Sequence, residues 1–331
     1  MAGVSLKTVS RVVNAEGGVS GKLDSRVRAA IDRLDYRPDL SASSLRRTDR
    51  KTATIGLLSQ DVAHPFSSTV HRAVADVALR HGVLVIAGSS DNNEAREREL
   101  MAAFSSRRVD GLIVLTASRG QSQLLSEQRR GTAVVFVDRD PVGLDADRVM
   151  TDGRAGVRLA LSHLVAHGHR EIGYLGDLQV SAASALSYQI YGQELNALGL
   201  DVDTRLVKLD LDGVQSAEAA AIELLTLAQP PSALFAATNL LAIGACRALR
   251  QLHLQDTVAM IGFDDVLMVD LLQAGVTVIA RDAYAVGRAA AEVLFCRING
   301  DRSPSYRITI PPLLMPRGSG EVNRYSGPAW S

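Results

Sequence analysis

Residues 111–137 read GLIVLTASRGQSQLLSEQRRGTAVVFV, and this stretch contains the pattern that decides the fold. Two short apolar runs without charge, Gly111–Leu115 and Ala133–Val137, enclose a segment with helical spacing. Apolar runs of about four to eight residues that alternate with helices are typical of parallel strands buried on both faces. The stretch therefore predicts a strand–helix–strand unit of a parallel sheet.

The same alternation extends in both directions along the chain. Further apolar runs lie at 54–58, 83–87, 172–175, 206–209, 233–235, 258–261 and 276–279. Because these strands are many for one open sheet, we expect two lobes with a boundary near 151–156. The predicted fold class is α/β, with a two-lobed body of parallel sheets at 52–316.

Residues 1–37 predict a small helical head. In AGVSLKTVSRVVN, residues 2–14, Ser5 is a natural N-cap and a stripe of valines follows at helical spacing. A second amphipathic helix is predicted over 22–34 and ends before Pro38. Such a pair is typical of the recognition half of a helix-turn-helix, although an ordinary capped amphipathic helix is the alternative.

Two segments without an apolar core flank the body. Residues 38–51 are polar, and they are either a plain linker or a hinge helix that forms only on a partner, because so short a helix is unstable alone. Residues 317–331 are rich in Gly, Ser and Pro, and we expect a disordered tail.

The composition argues against several classes of protein. Hydrophobic residues make up 47% and charged residues 22% of the 331 residues, and we find neither a membrane-spanning run nor a signal peptide. Both cysteines, Cys246 and Cys296, are expected to be small core residues of a reduced, cytoplasmic protein. Basic residues are in excess in the first 51 residues and acidic ones in the rest, which favours a polyanion-binding head over chance drift.

Several ordered motifs resemble those of the lactose-repressor (LacI/GalR) family of bacterial transcription regulators. They are AGVS (2–5), TVSRVVN (8–14), YRP (36–38), HPF (64–66), VDR (137–139), GHR (168–170) and IGFDD (261–265). The resemblance implies a helix-turn-helix head on a periplasmic-binding-protein-like body. It also implies a homodimer or tetramer that binds a pseudo-palindromic operator in double-stranded DNA, with no catalytic residue, metal or cofactor.

The resemblance implies DNA-binding roles for residues of the recognition helix and the hinge. These residues are Ser5, Leu6, Lys7, Thr8, Ser10, Arg11, Asn14, Ala42 and Leu45. Leu6, Lys7 and Arg11 would read base edges, while the other helix residues would contact phosphates. Leu45 would wedge into the minor groove, although Asp39 replaces the family's usual asparagine and a lone linker leucine is the alternative.

The family carries a helix before the residues that match 2–5, and the sequence as given starts at the turn. One explanation is an upstream start codon, with Met1 at the end of the first helix. We favour it because the rest of the head and the hinge are consistent with a complete domain. The alternative is a truncated head, which would make the chain a cytosolic small-molecule sensor that has lost DNA binding.

In this fold a ligand lies between the lobes, at the carboxyl ends of the strands. The candidate effector-binding residues are Asp61, His64, Phe66, Ser89, Asp91, Asp138, Arg139, Asp152, Gln189, Thr238, Asn239 and Asp264. Phe66 is expected to stack on the ligand and Asp264 to accept its hydrogen bonds. The alternative for each aspartate is a helix N-cap, and for His64 a turn residue.

Departures from the family bear on the ligand. Gln189 stands where many relatives have arginine, Thr238 and Asn239 replace an Asn-Asp pair, and Ala280 stands near the last crossover where an arginine is usual. Fewer charges indicate a less ionic ligand than a purine or a sugar phosphate, so we expect a neutral sugar or nucleoside. Its binding would change the angle between the lobes and so the operator affinity, whether as inducer or corepressor.

Two other classes of protein fit less well. An enzyme is disfavoured because no Gly-x-Gly-x-x-Gly, Walker or Gly-x-Ser-x-Gly motif occurs, and His167 and His169 are better explained as caps of helix carbonyls than as metal ligands. A periplasmic sugar-binding protein would share the body but carry a signal peptide and no basic head. The predicted function is therefore a cytoplasmic, effector-controlled, sequence-specific repressor.

Overall fold

The computed structural model describes residues 2–13, 17–34, 51–91, 93–115, 122–138, 145–179, 182–265 and 275–323. Two helices form the head, α1 (Leu6–Val13) and α2 (Gly21–Arg33). They agree with the helices predicted from the valine stripe and from the pattern at 22–34. Asn14, Ala42, Leu45 and Arg139 lie outside the described residues, so their predicted roles stay predictions.

The first lobe begins with alternating strands and helices. Its elements are β1 (Thr54–Ser59), α3 (Pro65–Arg80), β2 (Leu84–Ser89), α4 (Glu94–Ser106), β3 (Gly111–Leu115), α5 (Ser122–Arg129), β4 (Ala133–Val137) and β5 (Asp147–Thr151). The central strand β3 is buried along its whole length, as its uncharged sequence predicts.

The second lobe repeats this arrangement. Its elements are α6 (Gly153–Ala166), β6 (Ile172–Asp177), α7 (Ala182–Ala197), β7 (Val207–Leu211), α8 (Val214–Leu225), β8 (Ala233–Ala236), α9 (Asn239–Gln251), β9 (Ala259–Phe263) and β10 (Thr277–Ala280). The chain then returns through α10 (Ala283–Ile298), β11 (Arg307–Ile310) and β12 (Leu313–Met315).

The two sheets have matching strand orders. The first runs β11-β5-β4-β3-β1-β2 and the second β12-β10-β9-β8-β6-β7. Neighbouring strands are parallel except for β12, which is antiparallel to β10. The predicted α/β class with two lobes of parallel sheet is thus confirmed.

The chain crosses between the lobes more often than the sequence indicates. One crossing follows β5, inside the predicted boundary region at 151–156, and two more follow β10 and β11. Helix α10 therefore packs on the first lobe, where Gly287 approaches α3 so closely that a Cβ would lie 2.7 Å from the Val70 carbonyl oxygen. Valines of α3 and residues such as Leu294 of α10 form one buried core.

Two expectations about the second lobe and its neighbours are wrong. Residues 317–323 of the tail predicted to be disordered are ordered, because Ser319 Oγ accepts from the Thr277 amide at 2.9 Å and donates to the Met260 carbonyl at 2.6 Å. The rest of the tail lies outside the described residues. These bonds occupy backbone groups next to β10 and β9. Cys246 packs against a core as expected, but Cys296 lies exposed on α10.

Candidate functional site

The head presents one helical face to solvent. Ser5 caps α1, since its Oγ accepts from the Thr8 amide at 3.2 Å. Val12 of α1 and Val27 of α2 are buried against the paired helix, with 4% and 1% exposure. Leu6 is 86% exposed. A major groove could therefore reach the residues that were predicted to read bases.

An arginine that the sequence patterns did not single out holds the turn before α1. Arg26 of α2 donates from Nε to the Ala2 carbonyl at 2.9 Å. Gly3 adopts φ +61°, a conformation that costs little only without a Cβ. Arg26 and Gly3 together fix the direction in which α1 leaves the turn.

The other residues of α1 that are predicted to contact DNA differ in exposure. Lys7 and Ser10 are exposed on α1, and Thr8 and Arg11 are half-buried. Thr8 Oγ1 lies 2.9 Å from Ser5 Oγ, so these two hydroxyls already share a hydrogen bond. Their contacts to phosphates stay predictions.

Arg281, which follows β10, binds side chains of both lobes, and the region between the lobes around it is called the cleft. Its Nε and Nη2 donate to the two carboxylate oxygens of Asp264 at 2.5 and 2.7 Å, and its Nη1 donates to Asp138. Its guanidinium carbon lies 3.9 Å from the centre of the Phe66 ring, which is cation–π distance. Phe66, Asp138 and Asp264, all predicted site residues, are thus brought together.

Asp138 and Asp264 occupy equivalent positions in the two lobes. Each follows the third strand in the order of its sheet, β4 or β9, and has a positive φ, 54° and 69°. Each backbone amide donates at 2.9 Å to the next strand, to the Val149 and Ile279 carbonyls. Aspartate tolerates this left-handed conformation better than most residues, so both carboxylates are directed by the backbone.

Neighbouring carboxylates favour the charged form of Arg281. Burial alone would lower the pKa of Arg281, but the carboxylates of Asp264 and Asp138 outweigh burial and raise it. With two carboxylates and one guanidinium, this group of three carries one net negative charge. Thr151 Oγ1 is buried without a hydrogen-bond partner in the described part of the chain, and the Thr151 amide donates to Asp138 at 3.3 Å.

The expectation that the last crossover lacks an arginine is wrong. Ala280 is buried as the final residue of β10, and the next side chain is that of Arg281. Because successive side chains of a strand point to opposite faces, an arginine at position 281 points in a different direction from an arginine at position 280. The signal available in the sequence was a charged residue directly after a buried strand.

Other candidates form backbone caps. His64 Nδ1 accepts from the Phe66 amide at 3.2 Å at the start of α3, and Asp61 Oδ1 accepts from the Ala63 amide at 2.8 Å. Asp152 caps α6 and Thr238 caps α9, through amides at 2.9 and 3.5 Å. The Asp152 bond agrees with the N-cap alternative, the Asp61 bond lies within a loop, and His64 is an N-cap where the alternative was a turn residue. The ligand-binding roles of the four residues stay predictions.

Four other polar candidates either bind local partners or lie exposed. Ser89 Oγ donates to Asp91 at 2.5 Å, and Asp91 pairs with Arg96, also at 2.5 Å. Asn239 Oδ1 accepts from the Leu240 amide at 2.8 Å. Gln189 lies exposed on α7.

Of the two histidines after α6, His167 caps a helix carbonyl as predicted, whereas His169 binds the C-terminal segment instead. His167 Nδ1 donates to the His163 carbonyl at 2.9 Å, and His169 Nε2 donates to the Val322 carbonyl at 2.7 Å. Among the described residues, no cluster of three or more histidine, cysteine or carboxylate side chains could hold a metal ion. No helix of this part of the chain is both long and apolar enough to cross a bilayer.

Two family models match the chain. The model for bacterial regulatory proteins of the lacI family matches residues 1–39, and the model for a periplasmic binding protein-like domain matches residues 161–320. The regulator PtxS of Pseudomonas aeruginosa is 31% identical over 96% of this chain and 93% of its own length. The ribose operon repressor of Escherichia coli is 30% identical over 96% and 97%.

Solved structures share the fold. The lac repressor dimer bound to operator and an anti-inducer superposes with a TM-score of 0.84, at 24% identity and 96% coverage of both chains. The complex of the transcriptional regulator CelR with cellobiose gives a TM-score of 0.71 at 28% identity, covering 96% of this chain and 97% of that one.

Proposed function

The chain belongs to the lacI family of bacterial regulatory proteins, and from this premise we propose that its cleft binds a neutral, hydroxyl-rich effector, a sugar or a nucleoside. The protein is a DNA-binding transcription regulator with an effector-binding body. The observation that carries the proposal is the Arg281–Asp138–Asp264 group beside Phe66.

The charges of the cleft favour hydroxyl groups over anions. Two carboxylates accept hydrogen bonds from hydroxyls, and the guanidinium between them fixes their orientation. The net negative charge of the three side chains opposes a phosphate. The unpaired Thr151 Oγ1 supports a polar ligand nearby, and the names of the ribose repressor and of the CelR–cellobiose complex support a sugar.

The head acts on the operator. We infer that α1 enters the major groove, where Leu6, Lys7 and Arg11 reach base edges. Two heads would bind the halves of a pseudo-palindrome, and Leu45 would wedge into the minor groove at its centre. The effector would shift the angle between the lobes, with a coupling free energy of about 1–3 kcal/mol.

A dimer would form through the first lobe. The edge strand β2 is apolar and carries no proline or charge, and unpaired edges of this kind invite a second strand. Leu84 on this strand is 64% exposed and Leu79 at the end of α3 is 73% exposed. We propose that a second copy covers this surface, and that the dimer works as a repressor in the cytoplasm, without catalysis.

Calorimetry with a panel of small molecules tests the effector class. D-ribose, cellobiose and adenosine are compared with ribose 5-phosphate, and we expect saturable binding only among the uncharged compounds. Asp264→Asn should weaken that binding at least tenfold, whereas Asp265→Asn, one residue later and paired with Arg317, should not. Tight binding of the phosphate ester alone would overturn the proposal.

Operator binding is tested by salt dependence. A regulator that contacts several phosphates loses orders of magnitude of affinity between low and moderate salt. We expect this loss with selected operator fragments, and a change of affinity when effector is added. Absence of DNA binding at low salt would favour the sensor alternative.

A further inference from the structure

A side chain of the protein itself fills the centre of the cleft. The Arg281 guanidinium covers the Phe66 ring, which is the surface on which we expect the effector to stack. It also occupies the carboxylates of Asp138 and Asp264. The aromatic face and the two carboxylates are therefore engaged before any effector arrives.

The position of Arg281 in the chain makes this contact a bridge between lobes. Arg281 stands on the crossing from β10 in the second lobe to α10 in the first lobe. Asp264 directly follows β9 of the second lobe, and Asp138 directly follows β4 of the first lobe. A single guanidinium thus binds the same strand end in both halves.

We propose that Arg281 is an interlobe latch that holds the protein closed when no effector is bound. The proposal rests on the proposed function only in taking this cleft as the effector site. The side chains of Arg281, Asp138 and Asp264 are 16%, 28% and 17% exposed, so the pairs are largely shielded from water. Charge-assisted bonds in such places are about twice as strong as neutral ones.

With this latch, an effector must bind the latched and the unlatched protein with different affinity to change the angle between the lobes. A ligand changes a two-state equilibrium only if it contacts the two states differently. An effector whose hydroxyls donate to Asp138 and Asp264 competes with Arg281 for these carboxylates, and it thereby weakens the internal bridge. The operator affinity then depends on which bridge, internal or ligand-mediated, sets the angle between the lobes.

The lobe angle without effector is measured by electron–electron double resonance between two spin labels. We place them by Val62→Cys in the loop after β1 and Leu240→Cys at the start of α9, since both residues are 49% exposed and lie at opposing strand ends. Cys246→Ala and Cys296→Ser remove the native thiols from the full chain.

The test compares Arg281→Gln with Arg317→Gln in this labelled background. Arg317 makes the same two-point pair with a carboxylate, to Asp265 at 2.6 and 2.7 Å, but within the second lobe and its C-terminal segment. We expect Arg281→Gln to shift the distance distribution to longer values and broaden it. Arg317→Gln should leave the distribution as in the labelled parent.

A second variant, which breaks the bridge at its other end, distinguishes loss of the latch from misfolding of Arg281→Gln. Asp138→Asn removes only the first-lobe end of the bridge, and it should also lengthen the distance while far-UV circular dichroism stays unchanged. If both variants keep the parent distribution, the latch is wrong, whatever the calorimetry finds. If both open the lobes while no uncharged compound binds, the latch stands and the proposed effector class fails.

Discussion

The return of the chain to the first lobe depends on a buried ion pair, and its removal should cost several kilocalories per mole. Arg297 of α10 donates from Nε and Nη2 to both oxygens of Asp147 at 2.8 Å. The same guanidinium binds the carbonyls of Ser303 and Pro304 at 2.7 and 2.9 Å. Arg297 therefore ties β5 to the loop that leads into β11.

The exposure of the pair decides the magnitude. The side chains of Arg297 and Asp147 are only 14% and 6% exposed. Removing one partner of a buried pair costs about 3–5 kcal/mol, because the other charge stays buried and uncompensated. In Arg297→Met, Asp147 would keep the Tyr306 amide as a donor, at 2.8 Å.

Urea unfolding followed by circular dichroism measures the loss. With a slope of about 3 kcal/mol per molar urea, Arg297→Met should lower the midpoint by about 1–2 M. Arg96→Met is the matched control, because Arg96 and its partner Asp91 are 55% and 51% exposed, and such surface pairs contribute about 0–1 kcal/mol. Equal midpoint shifts in the two variants would refute the reasoning. It would also be refuted if the double variant Arg297→Met/Asp147→Asn were less stable than Arg297→Met alone.

Three further outcomes are expected. Arg11→Ala should cost about 1–3 kcal/mol of operator affinity and relax specificity at one base pair, and uniform weakening on all operator variants in a gel-shift series would contradict base contact. Gly3→Ala should destabilise the head by about 1–2 kcal/mol in thermal unfolding, because φ is +61° there, whereas Gly17→Ala, with open space at its Cβ, should not. Burial raises the pKa of Glu321, but hydrogen bonds from Thr277, Gly318 and His163 outweigh it and hold the pKa below the usual 4.5. The C-terminal segment should therefore loosen only as the pH falls below that value, seen as faster hydrogen exchange at Gly320, and Glu321→Gln should abolish this dependence.

The sequence predicted the central strands of both sheets but not three others. Gly111–Leu115 and its counterparts are uncharged because they are buried on both faces. Asp147–Thr151 carries an aspartate and an arginine, Arg307–Ile310 alternates polar and apolar residues, and Leu313–Met315 is short. These three strands are charged, mixed with polar residues or short, so a search for continuous apolar runs misses them.

The sequence predicted some residues of the candidate effector site and missed Arg281. Asp138 and Asp264 directly follow strands, Phe66 lies at the start of the helix after β1, and the structure joins the three through one guanidinium. Arg281 was missed because it lies one residue beyond the position compared with the family. Asp152 and Thr238 also follow strands, but at helix starts their side chains bind backbone amides. A linear pattern does not distinguish a side chain that caps a helix from one that points into a cleft.

The late return of α10 to the first lobe affects synthesis on the ribosome. The core of that lobe needs α10 and the strand that ends at residue 310, yet the other five strands of its sheet are complete once residue 151 has emerged. At about 5–20 residues per second, translation needs roughly 8–30 s to cover that interval. During this time the valines of α3 lack the helix that covers them in the folded protein. We therefore expect chaperones that bind apolar surfaces to bind the nascent first lobe.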